Sequence, residues 1–399
     1  MLQFFSASTS IVNSKRAITE CLENALAGQG NLDCDLLIIY FTMGHNFKDL
    51  LSEARRLSPS ARIAGCSCSG IIGGNGPDES MTALGIMVVK GPANEFAITH
   101  RTDVPKNDPY ITASLMAQEL KDINPNISLI QFLPSWVGWD PHDRSAEGIK
   151  KIFGRNIPIC GGVSCDNSKG ITSFHFFDDQ VVERGALMIG FADPTLKIIS
   201  HAGCGFGVIE GLQFEVTKSE GNRIYELNHK PAWQQYTGTL GLPETIYYVE
   251  AFIVASFALE LPESLHREYG SKYILFTPMK NHGDGSFNAG ISCPRGTKIY
   301  LTRRDEKQIF EVVDNIVNIT LNELAGRMPV AVFHTDCALR GKLSLNRILK
   351  EELINRIQSP IRKNDNIPWL GFYGGGEYAM LGGETRFHQF SSALTVLYR

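Results

Sequence analysis

The sequence predicts an α/β protein whose mixed sheets are built from repeated β-α-β-β units in two domains. Three observations predict this. One order of strand, helix, Gly-rich turn and closing strand recurs three times along the 399 residues. Its strands are near-continuous apolar runs, the pattern of strands covered on both faces. Polar residues leave the second strand at the same place in every copy.

The first copy opens with the strand Leu36 to Phe41, followed by an amphipathic helix from Phe47 to Leu57. Arg62-Ile-Ala-Gly-Cys-Ser-Cys-Ser-Gly70 then forms a strand and turn, and Ala83 to Val89 closes the unit. The second copy runs from Ser128 to Leu133, through a helix near Ser145 to Phe153, to Ile159-Cys-Gly-Gly-Val-Ser-Cys-Asp166. Gly185 to Phe191 closes it. The third comprises Val330 to Cys337, a helix from about Ser344 to Ile357, Leu370-Gly-Phe-Tyr-Gly-Gly-Gly-Glu377, and Ser392 to Tyr398. The repeat predicts that Gly65, Gly161 and Gly371 are equivalent and that the polar turns line one shared ligand edge. Glycine placed only for tight turning is the alternative.

Between the second and third copies the pattern changes. Ile198 to His201 reads as a short strand, and Gln213 to Thr217 alternates like a half-exposed one. A turn at Ser219 to Asn222 leads to Arg223 to Leu227, completing a hairpin. Pro231 opens a helix through Tyr236. Tyr273 to Phe276 and Thr297 to Leu301 are strands flanking a Gly-rich loop, and Gln308 to Leu324 has helical apolar spacing. The domains are expected at residues 1–195 and 196–399.

Composition bounds the function classes. A hydrophobic fraction of 43% and charged fraction of 20% suit a globular chain. The net charge of −4 and isolated basic pairs such as Arg303-Arg304 leave no stripe for a phosphate backbone, so nucleic acid is not the expected ligand. The longest apolar run, around Ala251 to Leu261, is too short to span a bilayer, and the N-terminal stretch lacks the marks of a signal peptide. Nine cysteines, an odd number in a long chain, suit reduced thiols and a cytoplasmic location.

The candidate chemistry lies at the strand ends. On an extended strand His334 and Asp336 share one face and Cys337 takes the other. A thiolate nucleophile at Cys337 or Cys66 would make the protein a Cys-dependent enzyme, but no second Cys/His pair completes a zinc site. Arg340 offers a planar fork suited to a ligand carboxylate. Cys66 and Cys68 share a face without the C-x-x-C spacing of a redox pair, and suit close approach by a ligand or by packed backbone. Ser164, Asp166 and Asn167 hold the matching turn as ligand contacts or turn caps. Tyr373, Glu377 and His388 belong to the third copy, where Glu377 is positioned to accept a ligand ammonium.

Gly65-Cys-Ser-Cys-Ser-Gly-Ile-Ile-Gly73, Gly161-Gly-Val-Ser-Cys-Asp166, Val216-Thr217 to Glu226-Leu227, Pro231-Ala232, Cys337-Ala-Leu-Arg340 and Gly371-Phe-Tyr-Gly-Gly-Gly-Glu377 occur in this order. Together they resemble the FIST family, with paired FIST-N and FIST-C domains, from about residue 34 onward. The resemblance implies a sensory module that binds a small ligand, an amino acid or organic anion, and signals in trans. No output region is left over in the sequence, so a partner of histidine-kinase or cyclase type is expected. Some members resemble haem-containing nitric oxide sensors, for which His201, His334 and His388 are the candidate axial ligands; otherwise no cofactor is expected. Where many members carry Tyr within the last motif, this chain has Gly375.

Overall fold

The computed structural model describes residues 1–102, 108–138, 141–167, 169–363 and 366–399. The predicted α/β class holds, and the repeat is larger than its sequence pattern. Each unit runs strand, helix, strand, helix, strand, hairpin, strand. In the first these are Gln3–Thr9, Ser14–Ala25, Leu36–Phe41, Phe47–Leu57, Arg62–Ser67, a hairpin of Ile71–Gly73 and Gly76–Asp78, and Leu84–Lys90. The second has Phe96–Arg101, Pro109–Ile123, Leu129–Pro134, His142–Phe153, Ile159–Gly161, a hairpin of Phe174–Phe177 and Gln180–Glu183, and Ala186–Phe191. The third has Lys197–Cys204, Glu306–Leu324, Pro329–Cys337, Arg347–Arg362, Trp369–Gly374, a hairpin of Glu377–Leu381 and Glu384–His388, and Ser391–Tyr398. The second unit therefore ends at Phe191 and the third begins at Lys197.

All three units share one topology. The fourth strand lies between the first and second, antiparallel to both, and the third lies parallel to the second. The register makes the predicted glycine equivalence explicit. Gly65 pairs with Ile39, Gly161 with Phe132 and Gly371 with His334. A Cβ at these glycines would lie 1.9 Å, 2.6 Å and 2.2 Å from the carbonyl oxygens of those same partners. Glycine is required at all three because the neighbouring strand leaves no room for a side chain.

Each hairpin leaves its own unit. The Phe174–Phe177 strand of the second unit extends the first unit's sheet at Arg62–Ser67. The Ile71–Gly73 strand of the first extends the third unit's sheet at Trp369–Gly374. The third unit's hairpin meets the second at a Gly162–Glu377 bridge. The three units therefore close a ring, each lending a hairpin to the next.

The apolar strand runs follow from this arrangement. In Leu36–Phe41, Leu36, Ile38 and Tyr40 face a central core that also holds Leu129, Leu133, Phe333 and Phe372 from the other units. Leu37, Ile39 and Phe41 face the helices outside, with Leu22, Leu50 and Ala54. Asn46 and Asn346 cap the second helices of the first and third units through side-chain oxygens. Asn346 sets the latter helix to begin at Arg347, and it continues to Arg362 with Pro360 in its last turn. Residues 205–305 form an insertion between the first strand and first helix of the third unit. It contributes an eight-stranded sheet and the helix Tyr248–Val254, which reaches the units' meeting point.

Candidate functional site

The third strands of the three units converge, and their turns are tied by three equivalent backbone hydrogen bonds. Counted from the equivalent glycines, Ser67, Val163 and Tyr373 occupy one position, and Ser69, Cys165 and Gly375 another. The Ser69 N–H donates to the Tyr373 carbonyl at 3.0 Å, that of Cys165 to Ser67 at 3.2 Å, and that of Gly375 to Val163 at 2.9 Å. A polar ring thus closes about the point where the units meet.

Ser69, Cys165 and Gly375 also floor a pocket of about 40 Å³. Its walls are Trp136 and Gly170 from the second unit, Cys337, Ala338, Leu339, Leu343 and Gly374 from the third, and Val249 and Phe252 from the inserted helix. Two of the equivalent positions bring polar side chains, and Ser69 Oγ lies 3.2 Å from Cys165 Sγ. The third brings none: a Cβ on Gly375 would stand 2.1 Å from Trp136 Cε3, so the indole occupies that space. The indole that fills this position therefore comes from the second unit. As it stands the pocket has room for about three waters.

Behind the Cys337 and Gly374 wall lies a buried polar cluster. Arg340 is 1% exposed, and its Nε donates to Asp336 Oδ1 at 2.9 Å. Burial is the largest influence on Asp336 and opposes its ionisation, yet Arg340, His334 and Ser392 together hold the carboxyl below the usual carboxylate range. His334 Nε2 lies 2.8 Å from Ser392 Oγ and 3.8 Å from Asp336 Oδ2, so His334 and Asp336 share a face as predicted. Glu377 Oε2 accepts from Ser391 N and Oγ at 3.2 Å and 2.7 Å. Burial pushes its carboxyl well above the usual range, against those hydrogen bonds and helped by the Asp336 charge. Glu377 is buried, and that burial disfavours the charged form that a ligand ammonium would need.

The remaining candidates are placed as follows. Cys66 and Cys68 belong to the central core and not to the pocket. Ser164 Oγ sits 3.0 Å from the Pro134 carbonyl and 2.9 Å from His175 Nε2. The Asp166 carboxylate accepts the N–H groups of Lys169, Gly170, Ile171 and Thr172, the work of a loop cap. Asn167 contacts Lys342 Nζ and Met81 Sδ at the surface. Cys337 lines the pocket, but burial pushes its thiol well above the ordinary value, and that of Cys165 up to about 12. Neither is placed to act as a thiolate.

The three candidate axial histidines lie apart from the pocket. His388 is fully buried between Tyr269 Oη and the Ala379 carbonyl, each at 3.3 Å. His334 Nε2 meets Ser392 and His201 Nε2 pairs with Glu323 at 3.0 Å, each ring leaving Nδ1 without a partner. None lines the pocket, whose volume is far below that of a porphyrin. Among the described residues no group of three or more His, Cys, Asp or Glu is placed to hold a metal, and no helix is long and apolar enough to cross a membrane.

Sequence reasoning missed Trp136, Val249, Phe252 and Leu343, which belong to no repeated motif. Ser69, Cys165 and Gly375 could have been found by counting four residues past each equivalent glycine.

Comparison with known proteins agrees with the repeated motifs. The family description "FIST N domain" matches residues 35–230, and "FIST C domain" matches residues 234–380. An uncharacterised protein of Methanocaldococcus jannaschii is 24% identical over 315 residues, covering 73% of this chain and 60% of that protein. The chain thus spans about three-fifths of that relative's length. A solved structure of a cyanuric acid hydrolase from A. caulinodans superposes with a TM-score of 0.40 and 8% identity, covering 100% of this chain and 99% of that one.

Proposed function

The chain belongs to the FIST family, and on that premise we propose that it senses a small molecule in the pocket where its three units meet. FIST domains are sensory domains. The observation that carries the reading is that equivalent turns of all three units, Ser69, Cys165 and Gly375, floor one pocket. A ligand seated there touches every unit at once, so its binding free energy bears on how the units and the inserted helix sit together. The Ser69 hydroxyl and the Cys165 thiol at the floor offer a polar end, while Trp136, Phe252 and Leu339 cover an apolar part. The ligand class is an amino acid or organic anion. Its entry moves the Trp136 indole, and the signal passes in trans to a partner protein of histidine-kinase or cyclase type.

The test is a thermal-shift screen of amino acids and organic acids on the full chain, with native mass spectrometry of whatever co-purifies. Saturable stabilisation without turnover, weakened by Trp136→Ala and Phe252→Ala, is expected. Time-dependent loss of the stabilising compound would point to an enzyme, and stabilisation indifferent to both substitutions would place the site elsewhere.

A further inference from the structure

The cluster behind the pocket holds more hydrogen-bonding capacity than the protein uses. Arg340 Nη1 and Nη2, Tyr373 Oη, Glu377 Oε1, Asp336 Oδ2 and His334 Nδ1 are buried without a hydrogen-bond partner. Leaving such groups unpaired is costly, and for the charged fork most of all. Asp336 takes only the Nε side of Arg340, which orients the guanidinium and leaves its outer N–H pair open. Tyr373 lies within the fields of both Asp336 and Arg340, and Glu377 within that of Asp336, so the groups form one neighbourhood.

Apart from Asp336 Oδ2, an acceptor, these groups can donate. The fork donates, and the phenol of Tyr373 can donate. Glu377 accepts through Oε2, and burial favours its protonated form, in which an O–H on Oε1 can donate. Asp336 Oδ1 is paired with Arg340 Nε while its Oδ2 is unpaired, so one acceptor edge also lies in the cluster and the two charges balance. An anion finds an unpaired guanidinium edge in the same neighbourhood as the unpaired Tyr373 hydroxyl. The neighbours in sequence, Cys337 to Leu339 and Gly374, form the pocket wall, so the cluster stands one residue behind the space a ligand enters.

We propose that Arg340, Tyr373 and Glu377 form a sealed receptor for a single carboxylate group, reached through the pocket. This rests on the reading of the pocket as a ligand site and specifies its charge requirement. Asp336 is the positioning residue, setting which edge of Arg340 faces the anion. A planar two-oxygen anion suits the open fork better than a spherical ion, because two parallel N–H groups meet two oxygens.

The experiment is a titration of the full chain with sodium formate and sodium acetate at constant ionic strength, with formamide and acetamide as neutral isosteres. Melting temperature and calorimetric affinity are read together. The carboxylates should stabilise and the amides should not. Arg340→Lys keeps the charge but loses the fork, and should weaken binding by about tenfold or more. Tyr373→Phe removes only an unpaired hydroxyl. It should leave the unliganded melting temperature no lower and weaken binding about fivefold.

Equal responses to acid and amide, or acetate binding unchanged by Tyr373→Phe, would overturn the receptor. So would no response to either carboxylate, the result expected if only water fills the cluster. Should Arg340→Lys fail to fold, the Tyr373→Phe arm decides. A non-carboxylate metabolite that stabilises the wild type but not Trp136→Ala would sustain the pocket while removing the carboxylate receptor.

Discussion

Replacing Gly375 by Ala tests the geometry of the pocket directly. Gly375 is not among the residues with positive φ, so its backbone accepts Ala and the effect is steric alone. The new methyl would stand 2.1 Å from Trp136 Cε3 and 2.5 Å from Cζ3, where carbon atoms prefer about 3.5–4.0 Å. The indole must retreat by more than 1 Å or leave its seat. Overpacking of this kind costs about 1–3 kcal/mol. Trp136→Ala alone, removing a side chain only 9% exposed, should cost about 3 kcal/mol. In the double variant the methyl no longer meets an indole, so Gly375→Ala should be nearly free on that background. The cycle should therefore show a coupling of about 1–3 kcal/mol. Urea unfolding of the four proteins, followed by circular dichroism, measures it. Additive costs, within about 0.5 kcal/mol, would refute the placement of Trp136 over Gly375 and with it the account of the pocket floor.

Acidification should destabilise the fold through its buried histidines. Burial holds His175 down to about 3 and His388 to about 4, against about 6.5 in the unfolded chain. Their contribution is present above pH 6.5 and is lost as the unfolded chain takes up protons below it. For His388 the loss reaches about 3 kcal/mol by pH 4, and His388→Gln should flatten that slope in urea unfolding at successive pH values. Glu377 acts in the opposite direction. Its raised value favours the folded state below about pH 4.5 and the advantage fades as pH rises, so Glu377→Gln should gain on the wild type between pH 5 and 8. Asp166→Ala should cost about 2–3 kcal/mol, because four backbone N–H groups lose a charged acceptor; unchanged stability would return Asp166 to the list of ligand contacts. All nine cysteines are buried, so the native protein should resist a thiol reagent at pH 8 until unfolded, and rapid labelling of Cys165 or Cys337 would contradict their protonated state.

The sequence by itself determined the elements and their repetition. Leu36–Phe41 and Phe47–Leu57 are legible to the residue, because a strand buried on both faces and an amphipathic helix write their periods locally. The equivalence of Gly65, Gly161 and Gly371 is legible too, since each answers the same contact with a parallel neighbour inside its own unit. The first strands and helices of the units are harder. Gln3–Thr9 and Pro109–Ile123 carry weak patterns, and in the third unit the insertion of residues 205–305 separates strand from helix.

The tertiary structure alone decided which turn residues face the ligand space. In an extended segment neighbouring side chains point oppositely, so an error of one residue changes the face. Cys66 and Cys68 face the core while Ser69 floors the pocket; Ser164 and Asp166 serve the loop while Cys165 floors it; Tyr373 backs the wall while Gly375 floors it. No single unit fixes that phase. It is set by the ring of hydrogen bonds from Ser69 to Tyr373, Cys165 to Ser67 and Gly375 to Val163, which join segments far apart in the chain and leave no local periodicity to read. Trp136 and Phe252 enter the site by the same route, delivered by the packing of one unit and one insertion against the others.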